Sequence, residues 1–304
     1  MKLKEIFSKG VILPIKRMGH KYVFNKMSDK KYIEYQWKKR MGGTINWDSP
    51  STFCEKLQWL KLNYHNPILH TLVDKYEVKK VVAEKIGKDY VIPCIGSWDK
   101  ADDIDISKLP NQFVLKCTHD SGSIVICKDK STFDLKAAKK KLQGALKNDY
   151  YLTWREWGYK DVKRKIIAEP YIDSLGHPES IEYKLTCING IVRVITVCEG
   201  IAHAELSQRT NDHYDKEWNR QDWYAFYEPS GKNWEKPQQM DDIVAFSEKL
   251  SEGLPQVRVD WYVVDGKPLF GEMTFYTWSG FIKFEPASWD KIMGDWLKLP
   301  EPQV

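Results

Sequence analysis

Residues 256–280, Gln256-Val-Arg-Val-Asp-Trp-Tyr-Val-Val-Asp-Gly-Lys-Pro-Leu-Phe-Gly-Glu-Met-Thr-Phe-Tyr-Thr-Trp-Ser-Gly280, decide the fold. They read as two strands joined at Asp265-Gly266, a dipeptide suited to the left-handed backbone of a β-hairpin turn. Val257, Val259, Trp261 and Val263 alternate onto one face, with Leu269, Gly271, Met273 and Phe275 as their expected partners. Arg258, Asp260, Glu272 and Thr274 fall on the other. A two-residue loop sets Asp260 opposite Gly271 and turns Glu272 onto the apolar face. A three-residue loop, Asp265-Gly266-Lys267, pairs Asp260 with Glu272 and Arg258 with Thr274. The three-residue loop is therefore the expected one.

That register creates a charge problem. Two carboxylates facing each other across a ladder have Cβ atoms roughly 5 Å apart and repel. A shared Mg²⁺ would turn the repulsion into a binding site, because Mg²⁺ takes one or two carboxylates and completes its shell with water and nucleotide phosphates. Arg258 would then add a fixed positive charge beside a phosphate. The competing reading is a solvent-facing hairpin in which Arg258 pairs with an acid.

Outward from the hairpin, 304 residues allow one large domain or two to three lobes. The net charge of +5 is uneven: residues 1–40 carry +9 and the remainder −4. This segment is expected to be either a solvated basic helix or a patch that touches an anionic membrane or polymer. No nucleic-acid motif accompanies the charge. The six cysteines, Cys54, Cys94, Cys117, Cys127, Cys187 and Cys198, form neither a C-x-x-C pair nor a zinc-type cluster. They read as reduced thiols of a cytoplasmic protein, one that is peripheral at the inner face of the membrane if the basic segment docks there.

Thr52 and Glu55 form a capping-box pattern ahead of a helix to Asn63, and 74–86 is a second helix stopped at Gly87. Tyr90-Val-Ile-Pro93 reads as a short strand and 99–110 as a polar linker. Residues 112–117 and 124–127 read as strands around the loop Thr118-His-Asp-Ser-Gly-Ser123, with a Lys-rich helix at 133–147. Lys165 to Ile172 is a strand running into a connection. Asn189-Gly190 is a hairpin turn between strands at 182–188 and 191–197. Residues 200–238 read as irregular, and 240–252 as a helix feeding the opening hairpin.

Lys116 closes an apolar strand beside Ser121, Gly122 and Ser123. A strand-anchored Lys next to free backbone N–H groups suits phosphate binding, though a strand-end Lys pointing to water is the simpler alternative. Lys184 stands similarly before the 189–190 turn. Glu169-Pro170-Tyr171-Ile172-Asp173 ends a strand at a proline expected to free the backbone from the ladder, leaving polar groups for an adenine edge and Asp173 for ribose hydroxyls.

The serial order resembles the ATP-grasp pattern: a Lys-bearing helix, strand-Lys-small loop, strand-Glu connection, strand Lys, then R-x-D and E-x-(polar). The segments FCEKLQWLKL, LVDKYEVKKVVAEKIG, LPNQFVLKCTHDSGS, IIAEPYI, YKLTCING, VRVDWY and GEMTFYTWSGF resemble the TupA-like ATP-grasp family. That family is associated with bacterial cell-surface polysaccharide and teichuronopeptide synthesis. The resemblance implies an α+β fold of two lobes closing on ATP. Residues 1–70 would be a basic helical extension, 71–173 the small lobe and 174–304 the large lobe.

It further implies Lys116 and Lys184 at the nucleotide phosphates, Ser121, Gly122 and Ser123 as a covering loop, and Glu169, Pro170, Tyr171, Ile172 and Asp173 around adenine and ribose. Asp260 and Glu272 would hold Mg²⁺, with Arg258 and Lys184 at the transferring phosphate. Thr274 replaces the usual metal-binding Asn, and Phe275-Tyr-Thr-Trp-Ser279 replaces a Pro-Gly turn. The implied activity is an ATP-dependent carboxylate–amine ligase that joins an amino acid to a uronic-acid or other acidic saccharide. Arg209, Asn211, Tyr214, Trp218, Ser279 and Gly280 are the expected substrate residues. A sugar kinase on the same scaffold and a glycosyltransferase using Asp103-Ile-Asp105 are the alternatives, with a non-catalytic polysaccharide binder last.

Overall fold

The computed structural model describes residues 26–172, 181–200 and 208–303. Asp173 and residues 1–25 of the basic segment lie outside them. The chain opens with helices α1 (Asp29–Arg40), α2 (Phe53–Asn63), α3 (Ile68–Val73) and α4 (Val78–Ile86). Helix α2 starts where the sequence placed it, because Thr52 accepts from the Glu55 N–H while the Glu55 carboxylate accepts from the Thr52 N–H.

A four-stranded antiparallel sheet follows, built from β1 (Gly96–Trp98), β2 (Phe113–Cys117), β3 (Val125–Cys127) and β4 (Ile166–Pro170) in the order β1-β4-β2-β3. Helices α5 (Leu135–Leu146) and α6 (Tyr151–Trp154) lie between β3 and β4. The second sheet is six-stranded and antiparallel, ordered β10-β9-β5-β6-β7-β8. Its strands are β5 (Ile181–Ile188), β6 (Ile191–Glu199), β7 (Thr210–Tyr214), β8 (Arg220–Gln221), β9 (Gln256–Val264) and β10 (Lys267–Thr274). Helix α7 (Met240–Ser251) covers one face of this sheet, and α8 (Ser288–Trp296) closes the chain against α2.

Two hydrophobic cores correspond to the two sheets. The smaller runs from Ala101 to Ala168. The larger joins the six-stranded sheet to α1 through α4, including Ile33, Leu57, Leu72 and Val82. Residues 29–86 are therefore part of the large core rather than an appendage or the start of the small lobe. Tyr32, Ile33 and Trp37 are buried, so the second half of the basic segment is structural. Among the described residues no helix is long and apolar enough to cross a membrane.

Four local expectations need correction. Residues 90–93 form no strand, only a bridge from Val91 to Phe270. The 99–110 segment is not a loose linker: Ala101, Ile104 and Leu109 pack into the small core. Its Asp105 caps a turn by accepting from the Ser107 N–H and hydroxyl. Residues 210–221 add two strands where irregular chain was expected. Pro170 is not free of its ladder but stands opposite Phe113.

The hairpin itself holds a further correction. Its loop has two residues, Asp265 and Gly266, both at positive φ, with Val264 paired to Lys267. Asp260 still faces Glu272, because a bulge at Gly271 shifts the register between Phe270 and Glu272. A Cβ at Gly271 would lie 3.0 Å from the Asp260 carbonyl oxygen and 2.9 Å from the Tyr262 ring, so only glycine fits. Phe270, rather than Leu269, joins Trp261 and Met273 in the core.

Candidate functional site

Strand pairing lines up a row of polar residues across the six-stranded sheet. Glu272 faces Asp260, Asp260 faces Lys184, Lys184 faces Thr196, and Thr196 faces His213. Period-two alternation puts the whole row on one face, opposite the side on which Trp261 bonds to Ser247 of α7. The Thr196 hydroxyl and His213 Nδ1 share a hydrogen bond of 3.0 Å, and burial pushes His213 down to about 3.

The charged end of the row solves the repulsion in its own way. Arg258 donates to both oxygens of Asp260 at 2.6 Å, and Lys184 reaches Asp260 at 3.0 Å. Arg258 also lies 3.6 Å from Glu272, whose carboxylate accepts from Thr274 at 3.3 Å. Lys184 pairs in addition with Glu182, a residue the sequence reading passed over although it sits two positions earlier on the same strand face. Asp260 is fully buried. Burial opposes its ionisation, but Arg258 and Lys184 hold its carboxyl below the usual carboxylate range. Burial pushes Glu182 upward.

Glu182, Lys184, Arg258, Glu272 and Thr274 form the floor of a cleft of about 650 Å³, with Asp260 buried among them. Lys184, Arg258, Glu272, Thr274, Arg209, Asn211, Ser121 and Ser279 all line it, so the cleft brings expected site residues of the six-stranded sheet together with the loop that follows β2. Glu182, Tyr150, Glu156, Lys75 and Arg40 line it too, and none of them was singled out in the sequence. Glu156 is buried, receives the Ser279 hydroxyl, and is pushed up to about 7 by burial, which Lys61 and Ser279 oppose. Nothing in the segment Trp154-Arg-Glu-Trp157 announces a buried carboxylate.

Tyr214 and Trp218 do not line the cleft: they stack on each other, and the Trp218 indole donates to the Trp234 carbonyl. Gly280 sits behind the wall at φ 65°, where Gln58 lies too close for any Cβ. Ser123 turns inward, bonding to Asp120 and accepting from the Cys117 N–H, so it shapes the 118–123 loop while Ser121 faces the cleft. Gly122 is at φ 101° with open space around it.

Lys116 and Glu169 meet in a second cluster on the small sheet. Glu169 accepts from Lys116 at 2.6 Å and from Lys79 of α4 at 2.7 Å. Burial raises Glu169, and the two lysines more than reverse it, leaving the carboxyl below its ordinary value. Lys79 is a further residue missed in the sequence, where it is one of several lysines on a single helix.

A divalent cation can be tested against these donors. Among the described residues no three His, Cys, Asp or Glu side chains are grouped to hold a metal ion. What remains is the facing pair Asp260 and Glu272, now bridged by the single charge of Arg258. Asp260 is fully buried with both oxygens bonded to Arg258 and Lys184, so of the expected pair only Glu272 is open to an ion that brings phosphate ligands with it.

Two antiparallel-sheet lobes, with Ser121 of the loop after the Lys-bearing strand and the charged hairpin lining one cleft, are those of an α+β ATP-grasp fold. The chain belongs to the TupA-like ATP-grasp family, whose model matches residues 55–298. Similar solved structures include a D-alanine–D-alanine ligase from Bacillus anthracis complexed with ATP, 17% identical, covering 67% of this chain and 55% of that one at a TM-score of 0.42. The D-cycloserine synthetase DcsG is 16% identical, with 75% and 70% covered at 0.42. A RimK domain ATP-grasp protein from Sphaerobacter thermophilus is 13% identical, with 84% and 72% covered at 0.41. The chain thus spans little more than half of the first of these. No curated protein matches it.

Proposed function

We propose that the protein is an ATP-dependent carboxylate–amine ligase, forming an amide between an amino acid and an acidic saccharide of the cell surface or its precursor. The observation that carries the reading is the set Glu182, Lys184, Arg258 and Glu272 on the floor of the cleft, tied together by the buried Asp260.

In this scheme the substrate carboxylate attacks the γ-phosphorus of ATP, and ADP leaves. Lys184 and Arg258 provide fixed positive charge for the phosphoryl oxygens, already oriented by Asp260, so little reorganisation accompanies the transfer. Ser121 approaches from the other lobe, with Lys116 and Lys79 as the small-lobe cations for the remaining phosphates. Glu272 would hold Mg²⁺ together with the nucleotide phosphates, while Asp260 braces Arg258 and Lys184 behind it; the ion would neutralise polyphosphate charge. An amine nitrogen then attacks the acyl carbon; the C–N bond forms, phosphate leaves with the electron pair of the broken C–O bond, and the proton lost from nitrogen passes to the departing phosphate or solvent. No side chain has to become covalently attached, in keeping with a cleft lined by charge and aromatics.

Hydroxylamine tests the scheme. Protein incubated with ATP, Mg²⁺ and uronic-acid oligosaccharides should release ADP and phosphate and yield a hydroxamate. A hydroxylamine-resistant phosphoester would indicate a kinase, and AMP with pyrophosphate would rule out an acyl phosphate.

A further inference from the structure

Trp278 and Phe226 are large aromatics left 47% and 51% exposed at the cleft. They stack face to face, centroids 3.9 Å apart and planes 21° from parallel. Both occupy positive φ, 50° and 65°, a region bulky side chains rarely adopt. Hydrophobic burial would favour hiding both rings, and relaxed backbone would favour neither conformation.

The display is held from beneath. Gln58 donates to the carbonyls of Ser279 and Gly280 at 2.8 and 2.9 Å, and Lys61 to that of Ser279 at 2.8 Å. Glu156 takes the Ser279 hydroxyl, and the Tyr276 N–H donates to Gln256 at 3.0 Å. Across the stack, Tyr224 and Glu285 exchange both backbone hydrogen bonds, and the Tyr227 N–H donates to the Ala225 carbonyl, fixing Phe226 at a tip. Gln58, Lys61 and Glu156 are buried polar side chains. A strained conformation persists where its surroundings over-determine it, and such places are commonly ligand clamps.

We propose that the Trp278–Phe226 stack is a saccharide-binding wall, taking the apolar face of a pyranose ring that bears a carboxylate. An exposed aromatic face complements the C–H face of a sugar, while the polar lining of the same cleft complements its edges. Arg209 and Asn211 line the cleft with the stack, and Arg40 and Arg209 supply cations for a carboxylate. A nucleobase also stacks on aromatics. However, the Lys116–Glu169–Lys79 cluster belongs to the small sheet and α4, whereas Phe226 and Trp278 follow β8 and β10 of the six-stranded sheet. The inference deepens the proposed ligase reading by identifying which wall takes the carboxylate substrate.

The test is binding of tri-galacturonate to the full chain without ATP, by saturation-transfer NMR and calorimetry. Ring C–H protons should receive the transfer. Trp278→Ala and Phe226→Ala should each weaken binding about tenfold, with Trp278→Phe within about threefold of wild type because a ring is kept. ATP affinity, measured separately, should be unchanged in all three. Absence of tri-galacturonate binding by the wild type, or equal affinity across the series, overturns the proposal. So does a parallel loss of ATP affinity, which would give the wall to the base. None of these measurements needs turnover. A failed hydroxylamine assay would therefore remove the ligase reading and leave the wall standing, and the reverse also holds.

Discussion

The two lobes hold the same device with opposite sign. On the small sheet, one buried carboxylate, Glu169, is gripped by two lysines from different elements, leaving one positive charge over. On the large sheet, two cations, Lys184 and Arg258, are shared among Glu182, Asp260 and Glu272, leaving one negative charge over. The first remainder suits an anion and the second a cation. A nucleotide polyphosphate with its counterion needs both. In each cluster the most buried acid serves as a brace, since its oxygens are already committed to cations.

That comparison breaks most visibly between Asp260 and Glu272. Asp260→Ala should cost about 3–5 kcal/mol in urea unfolding, because it strands Arg258 and Lys184 without their shared partner. Glu272 is half-exposed, so Glu272→Ala should stay within about 0.5 kcal/mol of wild type and yet abolish ATP turnover. Equal stability losses would erase the distinction between brace and ligand.

Glu156 sharpens the contrast, as a buried acid with no cation among the described residues in an ion pair with it. Its folded pKa of about 7 is raised above the ordinary 4.5. The sign follows: the stability it confers is full below pH 4.5 and is lost as pH rises through 7. Glu156→Gln should remove up to about 3 kcal/mol of pH-dependence from that window, read from denaturation midpoints at pH 4.5 to 7.5. Lys61, pushed down to about 8 by burial, changes stability at higher pH and leaves that window clear. An unchanged slope in the variant would remove Glu156 as its source.

On the small sheet, Lys116→Ala should weaken ATP binding by about 1.5–3 kcal/mol, measured by calorimetry. Unchanged affinity would make the Lys116–Glu169 pair purely structural. The smallest effect concerns the basic N-terminal segment. Removing residues 1–25 spares the buried Tyr32, Ile33 and Trp37. It should flatten the salt dependence of binding to anionic vesicles while leaving ATP affinity intact. Salt dependence that survives the deletion places the contact elsewhere.

Local chemistry was legible in the chain because its causes are local. The capping box at Thr52, the Asp265-Gly266 and Asn189-Gly190 turns, and the alternation that puts Arg258, Asp260, Glu272 and Thr274 on one face depend on neighbours a few residues apart. Those patterns, with the order of lysines and acids, were enough to identify the ATP-grasp family and the charged floor of the cleft. The Asp260–Glu272 pairing was also reached, but through the wrong loop. A glycine admitted by the close approach of Tyr262 and the Asp260 carbonyl cannot be distinguished in sequence from a glycine in any strand.

What the tertiary structure decided lies at long separation. Lys79 meets Glu169 across 90 positions, and Ser279 meets Glu156 across 123. Tyr214 and Trp218 turned to each other instead of to the cleft, while Phe226 was drawn to Trp278 at its edge. Periodicity tells a side chain which face of its own strand or helix it takes. Which other face it then meets depends on how whole sheets and helices pack, and only the folded chain carries that information.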